Sequence, residues 1–165
     1  MLKLTGVVLI LMMTSTGIYD FITVLRKNSV EGKIILNMED ELTNFIRENS
    51  DSKDVFLTDA YTINQVVFGG AMLYQGHQYY AWSAGYDTAY RDMMVRRMYE
   101  ADTPEELDRL VKENNISFIV IDYSNRTSRE YELNEYNIWS TYECVFQTGY
   151  DYWNTLIFDT SKRLE

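Results

Sequence analysis

Cysteine, histidine and proline are almost missing from this sequence. Its 165 residues include one cysteine, Cys144, one histidine, His77, and one proline. A single cysteine permits no intrachain disulfide, and one cysteine with one histidine cannot form a metal cluster built from these ligands. No segment has the alternating Asp/Asn spacing and central glycine of a calcium loop. We therefore expect no metal and no cofactor, and we expect Cys144 to be a small core residue.

Basic residues are also scarce. The chain has 15 lysines and arginines against 25 aspartates and glutamates, which gives a formal net charge of −10. This balance disfavours a nucleic-acid backbone or an anionic membrane surface as a general partner, so we predict no nucleic-acid binding. We interpret the charge as a source of solubility. The length, with 46% hydrophobic residues, suffices for one domain with a sizeable core but not comfortably for two, so we expect one domain plus an appendage.

An apolar segment lies near the start of the chain. The run from Gly6 to Ile18 (GVVLILMMTSTGI) is preceded by Lys3. It is shorter than the roughly 20 residues that a spanning helix prefers, but Tyr19 suits the membrane interface. A signal peptide is an alternative, although no small-x-small cleavage motif follows directly, and a buried helix of a soluble fold is another. We predict a transmembrane helix or anchor in residues 1–27, with residues 28–165 outside the bilayer.

A strand followed by a helix comes next. Asp54 to Thr58 is a short apolar run of the kind that is buried in a parallel sheet. A capping-box pattern, Thr62 with Gln65, predicts a short helix that ends at Gly69-Gly70. A strand leading into a helix begins a βαβ unit, and ligands of open α/β sheets bind at the carboxyl ends of the strands. Asp59 therefore stands where a ligand-binding group would be placed, although capping or turning the chain is an equal alternative.

The rest of the chain predicts further helices and strands. Thr103-Pro104-Glu105-Glu106 is a strong helix start, with Thr as the cap and Pro at the first helical position. Ile116 to Tyr123 is an unbroken apolar run, which is typical of a central parallel strand covered on both faces. The other predicted elements are helices at Met38 to Asn49, capped by Asn37, and from Asp87 or Thr88 to about Ala101, and a hairpin of strands at Tyr142 to Gln147 and Trp153 to Phe158.

Together these elements predict an α/β fold. We expect a small three-layer Rossmann-like domain with a mostly parallel sheet and a C-terminal β-hairpin, preceded by one N-terminal membrane helix. On the helix that ends near residue 101, Arg91, Arg96 and Arg97 lie off the apolar side. They could hold a phosphate, but in so acidic a chain a solvated or salt-bridged face is the favoured interpretation.

Residues 69–91, GGAMLYQGHQYYAWSAGYDTAYR, are rich in aromatic residues and glycine. They have no clean helical or strand period, so we predict a structured loop that faces a sugar, a lipid headgroup region or a partner surface. The letters AWSAG within it approach a nucleophile elbow but lack its first glycine. A small hydrolase that uses Ser83, His77 and either Asp59 or Asp87 is therefore a further alternative.

Four segments, in this order, resemble a known arrangement. They are TGIYDF, NFIRENSDSKDVFLTDAY, VVFGGAMLYQGHQYYAWSAGYDTAYRD and ENNISFIVIDYSNR. They span residues 16–126 and resemble the C-terminal end of multi-spanning membrane proteins of the GT-C glycosyltransferase-like kind. In that group a bundle of membrane helices is followed by a small α/β domain on the extracytoplasmic side. The resemblance implies that residues 4–25 are the last membrane helix of a larger enzyme or of an enzyme-like relative.

The resemblance carries no catalytic residue into this chain, because the acidic catalytic residues of the family lie in an early loop of the membrane part. It implies a non-catalytic, supporting role at the cell membrane: enclosing a polyprenyl-phosphate sugar or its acceptor, or docking the domain onto the membrane bundle. Whether the chain is itself an enzyme stays open, and a free-standing membrane-anchored module that binds a glycan or a protein is the alternative. The ligand-binding candidates are Asp59 and His77 from the patterns above, and Tyr79, Tyr80, Trp82, Tyr86, Asp87 and Arg91 from the resemblance.

Overall fold

The computed structural model describes residues 14, 17–26, 39–59, 64–149 and 153–164. The chain divides into two units, Met1–Asn37 and Met38–Glu165. The predicted caps Asn37 and Thr62 lie outside the described residues, and so does much of the predicted membrane helix.

The first unit is described mainly by one helical segment, residues 17–26. Six large apolar side chains of this segment are exposed: Ile18, Tyr19, Phe21, Ile22, Val24 and Leu25. Within the described ranges, no helix combines the length and the apolar character that crossing a membrane requires.

A five-stranded sheet forms the centre of the second unit, in the order β2-β1-β3-β5-β4. The strands are β1 (Val55–Leu57), β2 (Met72–Leu73), β3 (Phe118–Ile121), β4 (Tyr142–Thr148) and β5 (Thr155–Arg163). β1 pairs in parallel with both β2 and β3, whereas β5 is antiparallel to both β3 and β4. Four strands therefore point one way and β5 alone points the other way. This confirms a mixed α/β fold with a mostly parallel sheet and a C-terminal hairpin.

Seven helices are described in the second unit. They are α1 (Glu41–Asn49), α2 (Asn64–Gly69), α3 (Gln78–Ser83), α4 (Ala89–Tyr99), α5 (Pro104–Glu113), α6 (Tyr123–Arg126) and α7 (Glu135–Thr141). The prediction of a structured loop over residues 69–91 was wrong in part, because β2 and α3 lie within it. Both elements are too short to give a detectable period, since a two-residue strand and six-residue helix complete at most two repeats.

The helix starts follow the capping chemistry of the sequence. The Thr103 side chain accepts from the Glu106 N–H, and Pro104 occupies the first turn of α5, as predicted. The helix α1 begins later than predicted, because Asp40 is its cap and accepts from the Thr43 N–H over 2.7 Å. Gly70, with φ of 90°, ends α2 in a left-handed conformation that glycine adopts without strain.

Alternate residues of the strands enter two separate apolar clusters. Leu57 and Ile119 belong to one cluster, and their neighbours Phe56 and Phe118 belong to the other, with ring centres 4.7 Å apart. Because neighbouring side chains of a strand point to opposite faces, these clusters lie on the two faces of the sheet. The first cluster includes residues of α4, α5 and α7, and the second includes residues of α1 and α2. Both faces are therefore covered, which explains the unbroken apolar character of β3.

The chain connects its first three strands in an order that changes side at β1. β2 and β3 lie on either side of β1, and the chain reaches β2 through α2 and then reaches β3 through α3, α4 and α5. The helix α2 packs with the second cluster, whereas α4 and α5 pack with the first. Such a change of side opens a crevice beyond the carboxyl ends of the central strands, where ligands of open α/β sheets bind.

Candidate functional site

A cavity of about 360 Å³ opens at the carboxyl ends of the three neighbouring parallel strands. Thr58 and Asp59 follow β1, Gln75 follows β2, and Ser124 and residues 127–131 follow β3. We call it the strand-end cavity. It occupies the position that the topology predicts for a ligand, and it contains Asp59, as the sequence indicated.

Asp59 is held in the wall of this cavity by a buried hydrogen-bond chain. The Tyr131 hydroxyl donates to Asp59 Oδ2 over 2.8 Å and accepts from Asn125 Nδ2 over 3.0 Å. Burial and the neighbouring Asp59 carboxylate raise the pKa of Tyr131, so its hydroxyl keeps its proton and remains a donor. Asn125 is fixed in turn because its Oδ1 accepts from the Asp122 N–H at the start of α6.

Tyr99 packs against Tyr131 and stabilises the buried hydrogen-bond chain. Its side chain is fully buried, its ring stacks on the Tyr131 ring with centres 5.1 Å apart, and its hydroxyl donates to the Val120 carbonyl oxygen over 2.8 Å. The same hydroxyl lies 3.3 Å from the Leu57 carbonyl oxygen, so it bridges β1 and β3. Burial raises the pKa of Tyr99 well above its usual range, which keeps this group neutral.

The other side of the strand-end cavity pairs an amide with a carboxylate. Gln75 Nε2 donates to Asp92 Oδ1. Gln75 Oε1 and the buried Thr58 Oγ1 have no hydrogen-bond partner among the described residues. At the rim, Arg96 forms an exposed ion pair with Glu130 over 3.0 Å. Of the predicted arginine face, Arg96 and Arg97 are thus salt-bridged as expected, since Arg97 lies 3.7 Å from Glu106.

A second cavity, of about 610 Å³, gathers most of the predicted ligand-binding residues. We call it the aromatic cavity. Gln75 contributes to its wall as well as to that of the strand-end cavity. The predicted residues that line it are His77, Tyr80, Tyr86, Asp87 and Arg91.

Three of these side chains are positioned by local contacts. His77 Nδ1 accepts from the Tyr79 N–H at the start of α3, and Asp87 Oδ1 accepts from the Ala89 N–H at the start of α4. Arg91 reaches back to Tyr74: its Nη1 donates to the Tyr74 carbonyl oxygen over 2.7 Å, and its guanidinium lies 5.3 Å from the ring centre. The wall is therefore attached to the sheet through the residue that follows β2.

Tyr79 and Trp82 line neither of these cavities in the part of the chain that the structure describes. They lie on α3 with 59% and 67% of their surface exposed, and their rings are 6.3 Å apart. The eight predicted residues thus fall into three places: one in the strand-end cavity, five in the aromatic cavity, and two on the exposed surface of α3.

The geometry gives no support to the hydrolase alternative. The Ser83 hydroxyl donates to the Tyr80 carbonyl oxygen over 2.9 Å, within its own helix. Asp59 lines the strand-end cavity, and Asp87 Oδ1 accepts a hydrogen bond from the Ala89 N–H. Cys144 is half-buried against the first apolar cluster, and burial raises the pKa of its thiol, as befits a packing residue.

No group of three or more His, Cys, Asp or Glu side chains within the described ranges is arranged to hold a metal ion.

Four residues of the strand-end cavity and its support were not predicted: Gln75, Asp92, Asn125 and Tyr131. None of them was singled out for a site by the sequence, and each joins the site through the fold. The one available signal was the end of the strongest predicted strand, because residues after β3 must meet residues after β1 when the two strands are parallel neighbours.

No protein-family model matches this chain, and no curated protein matches it. The resemblance to GT-C glycosyltransferase-like proteins therefore depends on the quoted segments.

Proposed function

We propose that this chain is a non-catalytic, extracytoplasmic α/β domain of a GT-C glycosyltransferase-like membrane protein, and that its aromatic cavity helps to bind a sugar or a polyprenyl-phosphate sugar. The observation that carries the proposal is the convergence of five of the eight predicted residues on one open cavity. Two more exposed aromatic side chains, Tyr79 and Trp82, lie on α3 together with Tyr80.

The chemistry of the aromatic cavity suits a hydroxylated ligand. Tyr80 and Tyr86 offer aromatic faces, on which the apolar face of a sugar ring can pack. Asp87 and His77 supply polar atoms for hydroxyl groups, and Arg91 supplies a guanidinium that can pair with a phosphate. A volume of about 610 Å³ lies within the range of small-molecule sites.

The exposed apolar side chains of residues 17–26 support a place at the membrane. Water would surround Phe21 and Ile22 at a cost, whereas a bilayer or a membrane-helix bundle would cover them. We also propose the finer description of the fold, a Rossmann-like three-layer domain after a membrane helix. The placement of β2 and β3 on opposite sides of β1 supports it.

Sugar binding can be tested with the full chain in detergent micelles. The probes are glucose 1-phosphate and N-acetylglucosamine 1-phosphate, which are water-soluble and do not partition into the micelle. We expect saturation-transfer NMR signals from the sugar ring protons, and we expect Tyr80→Ala and Tyr86→Ala to abolish them. Tyr136→Ala is the matched control, because Tyr136 is a 79% exposed tyrosine of α7 that lines neither cavity as described. Equal signals in all variants, or none from the wild type, would contradict the proposal.

The relation to a larger membrane protein needs a separate measurement. An antibody against residues 39–165 would be used on immunoblots of membrane and soluble fractions. The proposal expects a membrane band several times heavier than 19.5 kDa. A membrane band near 19.5 kDa would favour the alternative, a free-standing anchored glycan- or protein-binding module, for which the exposed Tyr79 and Trp82 are the supporting observation.

A further inference from the structure

The strand-end cavity contains two buried polar atoms that lack a partner. Thr58 is 1% exposed and Gln75 is 9% exposed, and Thr58 Oγ1 and Gln75 Oε1 accept or donate no hydrogen bond among the described residues. Buried polar atoms are nearly always bonded, because an unmet hydrogen bond leaves the cost of desolvation uncompensated. Two such atoms from two strand ends, in the wall of one cavity, indicate that something else completes them.

The orientation of Gln75 defines what that partner must offer. A carboxylate only accepts hydrogen bonds, so the amide nitrogen of Gln75, and not its oxygen, must face Asp92. The amide oxygen is thereby turned away from Asp92 and is left as an acceptor. The ligand must therefore donate to Gln75 Oε1, while the Thr58 hydroxyl can either donate or accept.

The charges of the cavity wall indicate whether the ligand that donates these hydrogen bonds is neutral or cationic. Asp92 is half-buried, and its hydrogen bond within the described part of the chain comes from the neutral Gln75 amide. The nearby Arg96 is engaged by Glu130 at the exposed rim, and Arg129 is exposed. Asp59 adds a second buried carboxylate. We propose that the strand-end cavity binds a small organic cation, a protonated primary amine, through Gln75 Oε1, the Asp92 carboxylate and Thr58 Oγ1.

This site shares Gln75 with the wall of the aromatic cavity, but it requires no part of the proposed sugar binding. A volume of about 360 Å³ admits a small molecule and is larger than one water needs. An ammonium group has three donors and no acceptor, which matches a wall whose unmet atoms include an obligate acceptor beside a carboxylate. A neutral polyol would satisfy the hydrogen bonds but would leave the Asp92 charge uncompensated.

The test compares two probes that differ in one group. Ethanolamine, which is protonated at pH 7, and ethylene glycol, its neutral counterpart, would each be titrated to about 50 mM at constant ionic strength, because so small a ligand binds weakly at best. The readout is the amide chemical shifts of the full chain in detergent micelles. We expect ethanolamine to shift the amides of residues 58, 75 and 92 with saturation, and we expect ethylene glycol to leave them unchanged.

Variants of nearly equal shape identify the contacts. Asp92→Asn and Thr58→Val should each weaken ethanolamine binding by about tenfold or more, since each removes a charge or a hydroxyl with little change of volume. Asp102→Asn, at an exposed aspartate outside this cavity, should leave the affinity unchanged. Unchanged dispersion of the other amides shows that the variants are folded.

Three results would overturn the inference. Equal binding of both probes would assign the cavity to neutral polyols, and no saturable shift from either would assign it to water. Unaltered affinity in a folded Asp92→Asn variant would place the amine elsewhere. None of these results bears on the sugar phosphates, so this inference and the proposed function fail independently.

Discussion

The two cavities differ in how the chain builds their walls. The strand-end cavity combines residues that follow three strands, and its Asp59–Tyr131 hydrogen bond joins residues 72 positions apart. The aromatic cavity is built from one segment, residues 75–91. In the first wall Asp59 and Tyr131 are buried and bonded to each other, whereas in the second Tyr80 and Tyr86 are 71% and 70% exposed.

This difference predicts that the buried Asp59–Tyr131 pair and the exposed tyrosines of the aromatic cavity affect different properties. A wall of buried, mutually bonded side chains is part of the core, so changes there must alter the free energy of unfolding. A wall of exposed rings contributes little to that free energy, because those rings remain in water. We therefore expect substitutions of the buried, mutually bonded Asp59 and Tyr131 to act on folding and substitutions of the exposed Tyr80 and Tyr86 to act on binding.

The largest expected effect separates Tyr99 from Tyr80. Tyr99→Leu removes a ring that stacks on Tyr131 and a hydroxyl that bridges β1 and β3, and it leaves a cavity. We expect the free energy of unfolding to fall by about 3–4 kcal/mol. Tyr80→Ala, at an exposed ring, should change it by no more than about 0.5 kcal/mol. Urea denaturation of both variants measures the two values, and losses of similar size would refute the distinction.

The next effect isolates the hydrogen bond between Tyr131 and Asp59. Tyr131→Phe leaves Asp59 Oδ2 and Asn125 Nδ2 without this hydroxyl, so we expect a loss of about 1–3 kcal/mol in the free energy of unfolding. A double-mutant cycle with Asp59→Ala should show a coupling of about 1 kcal/mol or more. Tyr136→Phe is the control and should change nothing, because its ring lies 79% exposed. A coupling near zero would mean that the buried chain is not a unit.

The same contrast explains what could be predicted from sequence. The Thr103 cap, the apolar run of β3 and the hairpin depend on neighbours in sequence, and all three were confirmed. The aromatic cavity could be predicted for the same reason, since its wall is one continuous segment. The role of Tyr131 could not be predicted, because nothing near it in sequence indicates that it contacts Asp59. The helix α7 was missed because the notable features of its sequence are polar caps rather than an apolar period.

A third prediction concerns acid and the ion pair between α6 and α7. The Arg126 guanidinium donates two hydrogen bonds of 2.8 Å to Glu135, and these outweigh the effect of burial and lower the pKa of that carboxyl. The folded state therefore binds fewer protons than the unfolded state when Glu135 titrates. Its contribution to stability is complete above the ordinary glutamate pKa and is lost as the pH falls through the lowered value.

We expect Glu135→Gln to be less stable than the wild type at pH 7 and to show a flatter loss of stability in acid. The two proteins should converge once the pH has fallen below the lowered pKa, where Glu135 is protonated in both states of the wild type. Denaturation at a series of pH values measures this difference. Glu105→Gln, at an exposed glutamate of α5, should keep the slope of the wild type. Parallel curves for Glu135→Gln and the wild type would show that the pair contributes nothing.

The smallest expected effect concerns Arg91, which ties the aromatic cavity to the sheet through Tyr74. Because Arg91 is exposed, Arg91→Met should lower the global free energy of unfolding by no more than about 1 kcal/mol. Hydrogen exchange should nevertheless quicken across residues 75–88, since local opening needs only the contacts of that segment to break. The amides of β1 and β3 should keep their protection, and Trp82→Ala should quicken neither region. Faster exchange in both regions of Arg91→Met would make the two cavities one cooperative unit, and the division between the buried Asp59–Tyr131 pair and the exposed aromatic wall would then be wrong.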